Sequence, residues 1–298
     1  MVKSMKKNKQ FERAVHGLFL ILGLVTVASV LVITVYLVIS GIPAILEIGL
    51  WDFLFGDTWD PASSDPKFGI LPFILSSIYG TAGALVLGVP IGFLTAVFLS
   101  KKASPKVKEI MSGAVSLLAG IPSVVYGLVG MMVLVPGIRD LFGLPDGASL
   151  MAAIVVLAIM ILPSIMILPS IIKVSITALD AVPKEYEDAS LALGATPTET
   201  WFRVSVPAAK SGIATAVVLG VGRAIGEAMA VMMVSGNVAN MPSLFQSVRF
   251  LTTAVSSGMG YADGLYREAL FSIALVLFLF IMMINAVLNF FLKGEKHE

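Results

Sequence analysis

The chain has no cysteine, only two histidines and few charges for its length. Without cysteine there is no disulfide and no thiolate to serve as nucleophile or metal ligand. His16 and His297 stand near opposite ends, which excludes a multi-histidine metal site. No Gly-x-x-x-x-Gly-Lys-Ser/Thr stretch occurs, so the chain does not cradle nucleotide phosphates by that route. Only 13% of the 298 residues are charged, against about a quarter in a soluble domain. Hydrophobic residues make up 57%, and the mean hydropathy is +0.96. This is the composition of an integral membrane protein.

A helix crosses the hydrocarbon core with about 20 apolar residues. Runs free of Asp, Glu, Lys and Arg cover Ala14–Leu46, Phe68–Ser100, Ile110–Ile138, Gly147–Ile172 and Ala269–Leu292. A sixth, Ser211–Val248, is interrupted only by Arg223 and Glu227. Strands of a membrane barrel alternate and are about half as long, so the expectation is an all-α protein with six transmembrane helices. The expected divisions are a basic N-terminus at 1–13, a first span at 14–40 and an outer loop at 41–69. A core at 70–292, with an inner loop at 173–210, and a short tail at 293–298 complete the chain.

The basic start resembles that of a signal peptide, but the apolar segment after it is too long and lacks a small-residue cleavage site. It reads as an uncleaved first helix. With the N-terminus inside, fifteen basic residues fall on the inner side and four (Lys67, Arg139, Arg249 and Arg267) on the outer. The positive-inside rule then puts both termini in the cytoplasm, with the protein in the cell membrane. In the outer loop Trp51, Phe53, Phe55 and Trp59 alternate with Asp52, Asp57 and Asp60. Such a loop is an interfacial helix or lid at headgroup level, or a docking surface for an outer partner; the sequence leaves both open.

The inner loop carries two short helical signals around a corner. Pro183 suits a helix start, and Gly194 sits where a left-handed residue ends one. Thr196-Pro197-Thr198-Glu199 forms a capping box, and Pro207 is expected to stop the pattern. The elbow is either an amphipathic loop on the membrane or a handle for a soluble partner. Its spacing resembles the loop shared by ABC-importer permeases. That loop has an acidic-Ala-small triplet, three residues, Gly, nine residues, an aliphatic, one residue, then aliphatic-Pro. The matching residues are Asp188-Ala189-Ser190, Gly194, Val204 and Val206-Pro207. The family's usual Glu is Asp188 here, directly after Glu187, and its usual Leu is Val206. The resemblance implies a coupling helix seated in an ATPase subunit, with Glu187 or Asp188, Ala189, Gly194 and Pro207 as coupling residues.

Three more stretches narrow the family: "WDPASSDPKFGILPFILSSIYGT" from Trp59, "LAGIPSVVYGLVG" from Leu118 and "GRAIGEAMAV" from Gly222. They resemble phosphate-specific ABC importer permeases, and the long outer loop favours the C-type subunit. The family usually has Thr where Ala228 stands. The resemblance implies a type I importer permease fold (MetI-like), working with a homologous A-type permease, two ATP-binding subunits and an external phosphate-binding protein. By the same resemblance this chain holds no cofactor, performs no chemistry on the substrate, and leaves ATP and Mg to the partner ATPase.

A charge at the membrane centre costs at least ~2.5–3.5 kcal/mol, so Arg223 and Glu227 are expected to face a bundle interior or an aqueous path. Guanidinium is a planar fork that matches phosphate oxygens. Glu227, one helical turn on, can neutralise Arg223 when no anion is present. Alternatives are a plain intrahelical ion pair or a bridge to the sister subunit. Gly220, Gly222 and Gly226 are expected to line a close helix contact, placed at the subunit interface. Pro90, Pro122, Pro163 and Pro169 are expected to kink helices. Rival functions are import of sulfate, molybdate or phosphonate, an ATP-independent channel or secondary transporter with a repeat and broken helices, or a phosphate-sensing scaffold.

Overall fold

The computed structural model describes residues 2–161 and 171–294. Helix α1 runs unbroken over Val2–Ile48, eight residues beyond the expected end of the first span. Gly41 and Pro43 are the only residues in 41–48 that oppose helix, and the helix ends only where Gly49 takes a φ of 97°. Helix α2 (Leu50–Phe55) then leads into a small antiparallel hairpin, β1 (Trp59–Asp60) paired with β2 (Lys67–Phe68). Trp59 is buried against Phe68, Phe73 and Tyr266, while Trp51 and Phe55 stack on each other in the open. The outer loop thus splits its aromatics between a core and an exposed face.

Helix α3 (Leu71–Val97) keeps Pro90 in its interior and continues through a π-helical turn at Phe98–Lys102. Helix α4 (Pro105–Gly120) follows. Pro122 was expected inside one long helix; instead the chain breaks there, and α5 begins at Ser123 and runs to Val129. The proline ring drives the preceding Ile121 to extended backbone (ψ 124°), which ends α4. A second π-helical turn, Gly130–Leu134, joins α5 to α6 (Val135–Phe142). Next comes α7 (Leu150–Ile161). Pro163 and Pro169 lie outside the described residues.

The chain continues through α8 (Ile171–Asp180), α9 (Lys184–Ala192), α10 (Pro197–Thr200), α11 (Val206–Ala208) and α12 (Lys210–Ile225). Helices α13 (Met229–Val234), α14 (Leu251–Gly258) and α15 (Gly264–Gly294) complete it. Among the described residues, four helical stretches are long and apolar enough to cross a membrane: Val15–Ile48, Leu71–Lys102, Ser123–Phe142 and Gly264–Val287. The stretch Pro197–Ala208 and α12, bent by 72°, amount to a fifth if counted as one span. Within the remaining expected span, α7 is a shorter apolar helix, and 162–170 fall outside the described residues.

One core joins α3, α6, α7, α8, α12 and α13 around Leu157, Ile161, Ile171 and Val231. A second, at the hairpin end, joins the end of α1 with α3, α14 and α15 around Phe53, Phe73 and Leu270. There the buried Ser272 hydroxyl donates to Gly41 O (2.5 Å) and fixes α15 against α1. A third core, at the lysine-rich end, joins Ala96 and Val97 to Leu179, Val182 and Ala209. The three cores leave the break after α12 and the elbow at α9–α10 at different levels of the bundle, both reachable from α3.

Candidate functional site

The charged pair was expected on one continuous helix, and the structure breaks that helix between the two halves of the motif. Helix α12 ends at Ile225 with Gly226 as its C-cap, and α13 starts only at Met229. The Glu227 amide makes a long bond back to Ala224 O (3.4 Å), the last of the α12 turn. Its carboxylate then closes the gap: Oε1 accepts from the Ala230 amide (3.1 Å), and Oε2 pairs with Arg223 Nη2 (3.0 Å). The Thr252 hydroxyl donates to Glu227 O (2.8 Å). Glu227 is 4% exposed, so its carboxylate is held almost wholly away from water. A buried carboxylate needs such partners.

Arg223 is placed differently. It lies in the last turn of α12, where the helix carbonyls favour a cation. Its side chain is 27% exposed, and the bond to Glu227 is the one hydrogen bond or ion pair it makes among the described residues. Guanidinium carries five N–H donors, and here Nε is buried with no partner at all. The pair therefore has both carboxylate oxygens engaged and guanidinium donors left over. Donors left over on a partly exposed cation are what a tetrahedral oxyanion requires. A cavity of about 700 Å³ lies elsewhere, between α5–α6 and α7, and its lining of Val129, Val133 and Ile159 is almost wholly apolar. It offers nothing to an anion.

The glycines around the pair have separate tasks. Gly220 is taken up within the chain, since a Cβ there would overlap the Ile171 side chain of α8. Gly222 faces open space, and Gly226 caps its own helix. Of the three glycines expected to line a close helix contact, Gly222 alone faces open space. The Ala228 position, where a hydroxyl was missed, makes no side-chain cap; Glu227 caps Ala230 in its stead.

The elbow is built as its local signals predict. Pro183 precedes the first turn of α9, and Gly194 stands just past its end with φ 88°. Thr196 and Glu199 form the capping box of α10 reciprocally. Burial is nil at Glu199, whose carboxyl is held below the usual range by the Thr196 amide and hydroxyl. The Ser190 and Thr200 hydroxyls bond across the elbow at 2.9 Å. Pro207 does not stop the pattern. A π-helical turn at Trp201–Ser205 widens the helix ahead of it, so the ring, which lacks an N–H, is accommodated in α11. The bend comes at Ala209.

The two acidic residues that the sequence left together are separated by the fold. Glu187 turns inward: Oε1 accepts from Lys101 Nζ (2.5 Å) and from the Ser205 hydroxyl (2.7 Å). Burial pushes its carboxyl up, but those two hydrogen bonds and the Lys101 and Lys184 charges outweigh it and hold the group below the ordinary carboxylate range. Asp188 and Ala189 are exposed, and Asp188 has no bond to any described residue. Around them Tyr186, Leu191, Leu193 and Phe202 are exposed, Leu193 by 90%. An apolar patch with a free carboxylate is a surface suited to another protein. Lys101, Ser205 and Thr252 were not singled out in the sequence, where they are one lysine of a basic run and two hydroxyls among many.

Comparison with known proteins gives a consistent picture. Residues 88–294 match the family described as binding-protein-dependent transport system inner membrane component. A probable ABC transporter permease protein, YqgH of Bacillus subtilis, is 39% identical over 95% of this chain and 93% of its own. The phosphate transport system permease proteins PstC of Pasteurella multocida and Mesorhizobium japonicum are 31% and 32% identical, over 89% and 87% of this chain and 90% and 86% of theirs. Among solved structures, an inward-facing methionine ABC transporter aligns with a TM-score of 0.54 at 20% identity, covering 76% of this chain and 94% of that one. That likeness gives the permease fold.

Proposed function

Since the chain belongs to the family of binding-protein-dependent transport system inner membrane components, we propose that it is the C-type permease subunit of an ATP-driven phosphate importer. The observation that carries the phosphate assignment is the Arg223 guanidinium, about a quarter exposed and with donors beyond its bond to Glu227, beside a buried Glu227 whose two carboxylate oxygens are both engaged. An incoming phosphate takes the free donors of Arg223 and competes with Glu227 for the rest. When the anion leaves, Glu227 restores the neutral pair. A site that alternates between these partners binds weakly enough to release its cargo, as transport demands. The named relatives that transport phosphate support this reading.

The energy comes from two ATP-binding subunits, which hold ATP and Mg. They grip the exposed elbow through Asp188, Ala189 and the apolar patch around Leu193, on the cytoplasmic side. Gly194 sets the angle of the elbow and Pro207 lies at its exit. A homologous A-type permease completes the pore, and an external phosphate-binding protein delivers the anion. The broken helix at 226–228 is also a feature of secondary transporters, but an elbow displaying apolar side chains has no task in a protein that works alone.

The test is uptake of radiolabelled phosphate into vesicles holding the four-part transporter, with sulfate and molybdate as competitors. Uptake that requires ATP and is blocked by neither competitor is expected. Uptake by this chain without an ATPase would overturn the reading, and inhibition by sulfate at equal concentration would move the substrate to another oxyanion.

A further inference from the structure

We propose that Lys101 is the positioning residue that ties the elbow to α3 and thereby to the Arg223–Glu227 break. This rests on the ATP-coupled reading above and assigns its internal linkage.

At the lysine-rich end, Lys101 Nζ donates both to Glu187 Oε1 of α9 and to Leu179 O at the end of α8 (3.0 Å). Glu187 also holds Ser205 of the π-helical turn before α11. One ammonium thus joins α3's extension, α8, α9 and the segment leading into α12. Its side chain is 10% exposed and that of Glu187 21%. The neighbouring pair Lys108–Asp180, at 36% and 41%, is by contrast an open surface pair. Exposed pairs contribute little and slide easily. A desolvated pair is costly to leave unmatched, so its members move together. The elbow cannot shift without drawing on Lys101.

Lys101 sits at the end of the continuous helical stretch Leu71–Lys102. Towards the other end of that stretch, the Ser77 hydroxyl accepts from the Leu251 amide (3.0 Å) at the start of α14. The next residue, Thr252, donates to Glu227 O. Ser77, Leu251 and Thr252 are all buried. From Lys101 to Ser77 is about 36 Å along the helix at 1.5 Å per residue. A displacement entering at Glu187 therefore has an unbroken route of helix and buried hydrogen bonds to the backbone of the gate carboxylate. Three side-chain bonds complete this route: Lys101 to Glu187, Ser77 to Leu251 and Thr252 to Glu227.

The test uses the whole transporter in vesicles with its binding protein, comparing Lys101→Met and Lys101→Arg with the parent. Expected for Lys101→Met is copurification of the ATP-binding subunits together with a rise of about tenfold in ATP hydrolysed per phosphate imported. Lys101→Arg, which reaches both acceptors, should stay within about twofold of the parent. A parental ratio in Lys101→Met overturns the proposal. So does loss of the copurifying subunits, which would make Lys101 a mere brace for docking. If the parent takes up no phosphate, the substrate reading fails by itself. The linkage is then read from stimulation of ATP hydrolysis by the binding protein, and equal stimulation in Lys101→Met and the parent overturns it.

Discussion

Glu227 and Arg223 meet at 3.0 Å across the point where their helix stops, so the ion pair bridges a gap in the backbone. Both groups sit near helix ends of the favourable sign, the arginine in the last turn of α12 and the carboxylate against the amide of Ala230. The carboxylate is committed in every direction, while the guanidinium is not. Substitutions on the two sides of the pair should therefore behave differently.

Arg223→Gln should abolish phosphate uptake and also destabilise the permease, by about 3 kcal/mol, because it strands a buried carboxylate. The double variant with Glu227→Gln should recover most of the thermal stability while uptake stays absent. Melting curves of the purified complex and uptake assays separate the two effects. If the double variant transports normally, the pair is structural.

Glu227→Gln alone keeps an acceptor for Ala230 but removes the charge that competes with the anion. Phosphate should then be held longer. The expected result is a KM for uptake lowered about fivefold or more, with a maximal rate lowered in step. Uptake kinetics over a range of phosphate concentrations check this. A raised KM would show that Glu227 assists binding instead.

Gly194 has a φ of 88° and nothing within 4 Å of where a Cβ would stand. A Cβ there meets no neighbour, so the main effect of replacement by Val is backbone strain, on the order of 1–3 kcal/mol. The elbow should straighten, and stimulation of ATP hydrolysis by the binding protein should fall. Gly194→Asn, which tolerates the left-handed region, should retain most of it. Equal loss in both variants would point to contact with the ATPase rather than to the angle of the elbow.

Local rules made the elbow legible in the sequence. Gly194, the Thr196–Glu199 box and the start at Pro183 act within a few residues, and the fold keeps them all. The gate was legible in its charges and not in its geometry. Residues four apart predict a pair on an intact helix, whereas the break is held by the Gly226 cap, the bond from Ala230 to the Glu227 carboxylate and the tertiary bond from Thr252 to Glu227 O. Lys101 was hidden because its partner is 86 residues away and lysines near membrane ends are read first as topology signals. Ser77 and Thr252 were hidden among hydroxyls that merely bond back along their own helix, as Thr26 and Ser116 do. Pro122 was read as a kink; it became a break because Ile121 before the ring takes extended backbone, whereas the residues before Pro43 and Pro90 stay helical.

The separation of Glu187 from Asp188 has a pH signature. Glu187 is held below the ordinary carboxylate range in the folded elbow, so its ionised form is favoured by folding. The stability it contributes is present above the unfolded carboxylate value, about pH 4.3, and is lost as the pH falls through its lower folded value. From pH 7 down to about 5 the elbow should therefore keep its resistance to protease, and it should lose resistance only in stronger acid. Glu187→Gln should expose the elbow to cleavage already at pH 7, by leaving Lys101 without its charged partner. Asp188→Asn should leave protease resistance as it is and reduce the amount of ATP-binding subunit recovered with the permease. Limited proteolysis of the complex across this pH range, with the recovered subunits measured on the same samples, decides both. Cleavage that rises in Asp188→Asn and not in Glu187→Gln would reverse the assignment of the two carboxylates.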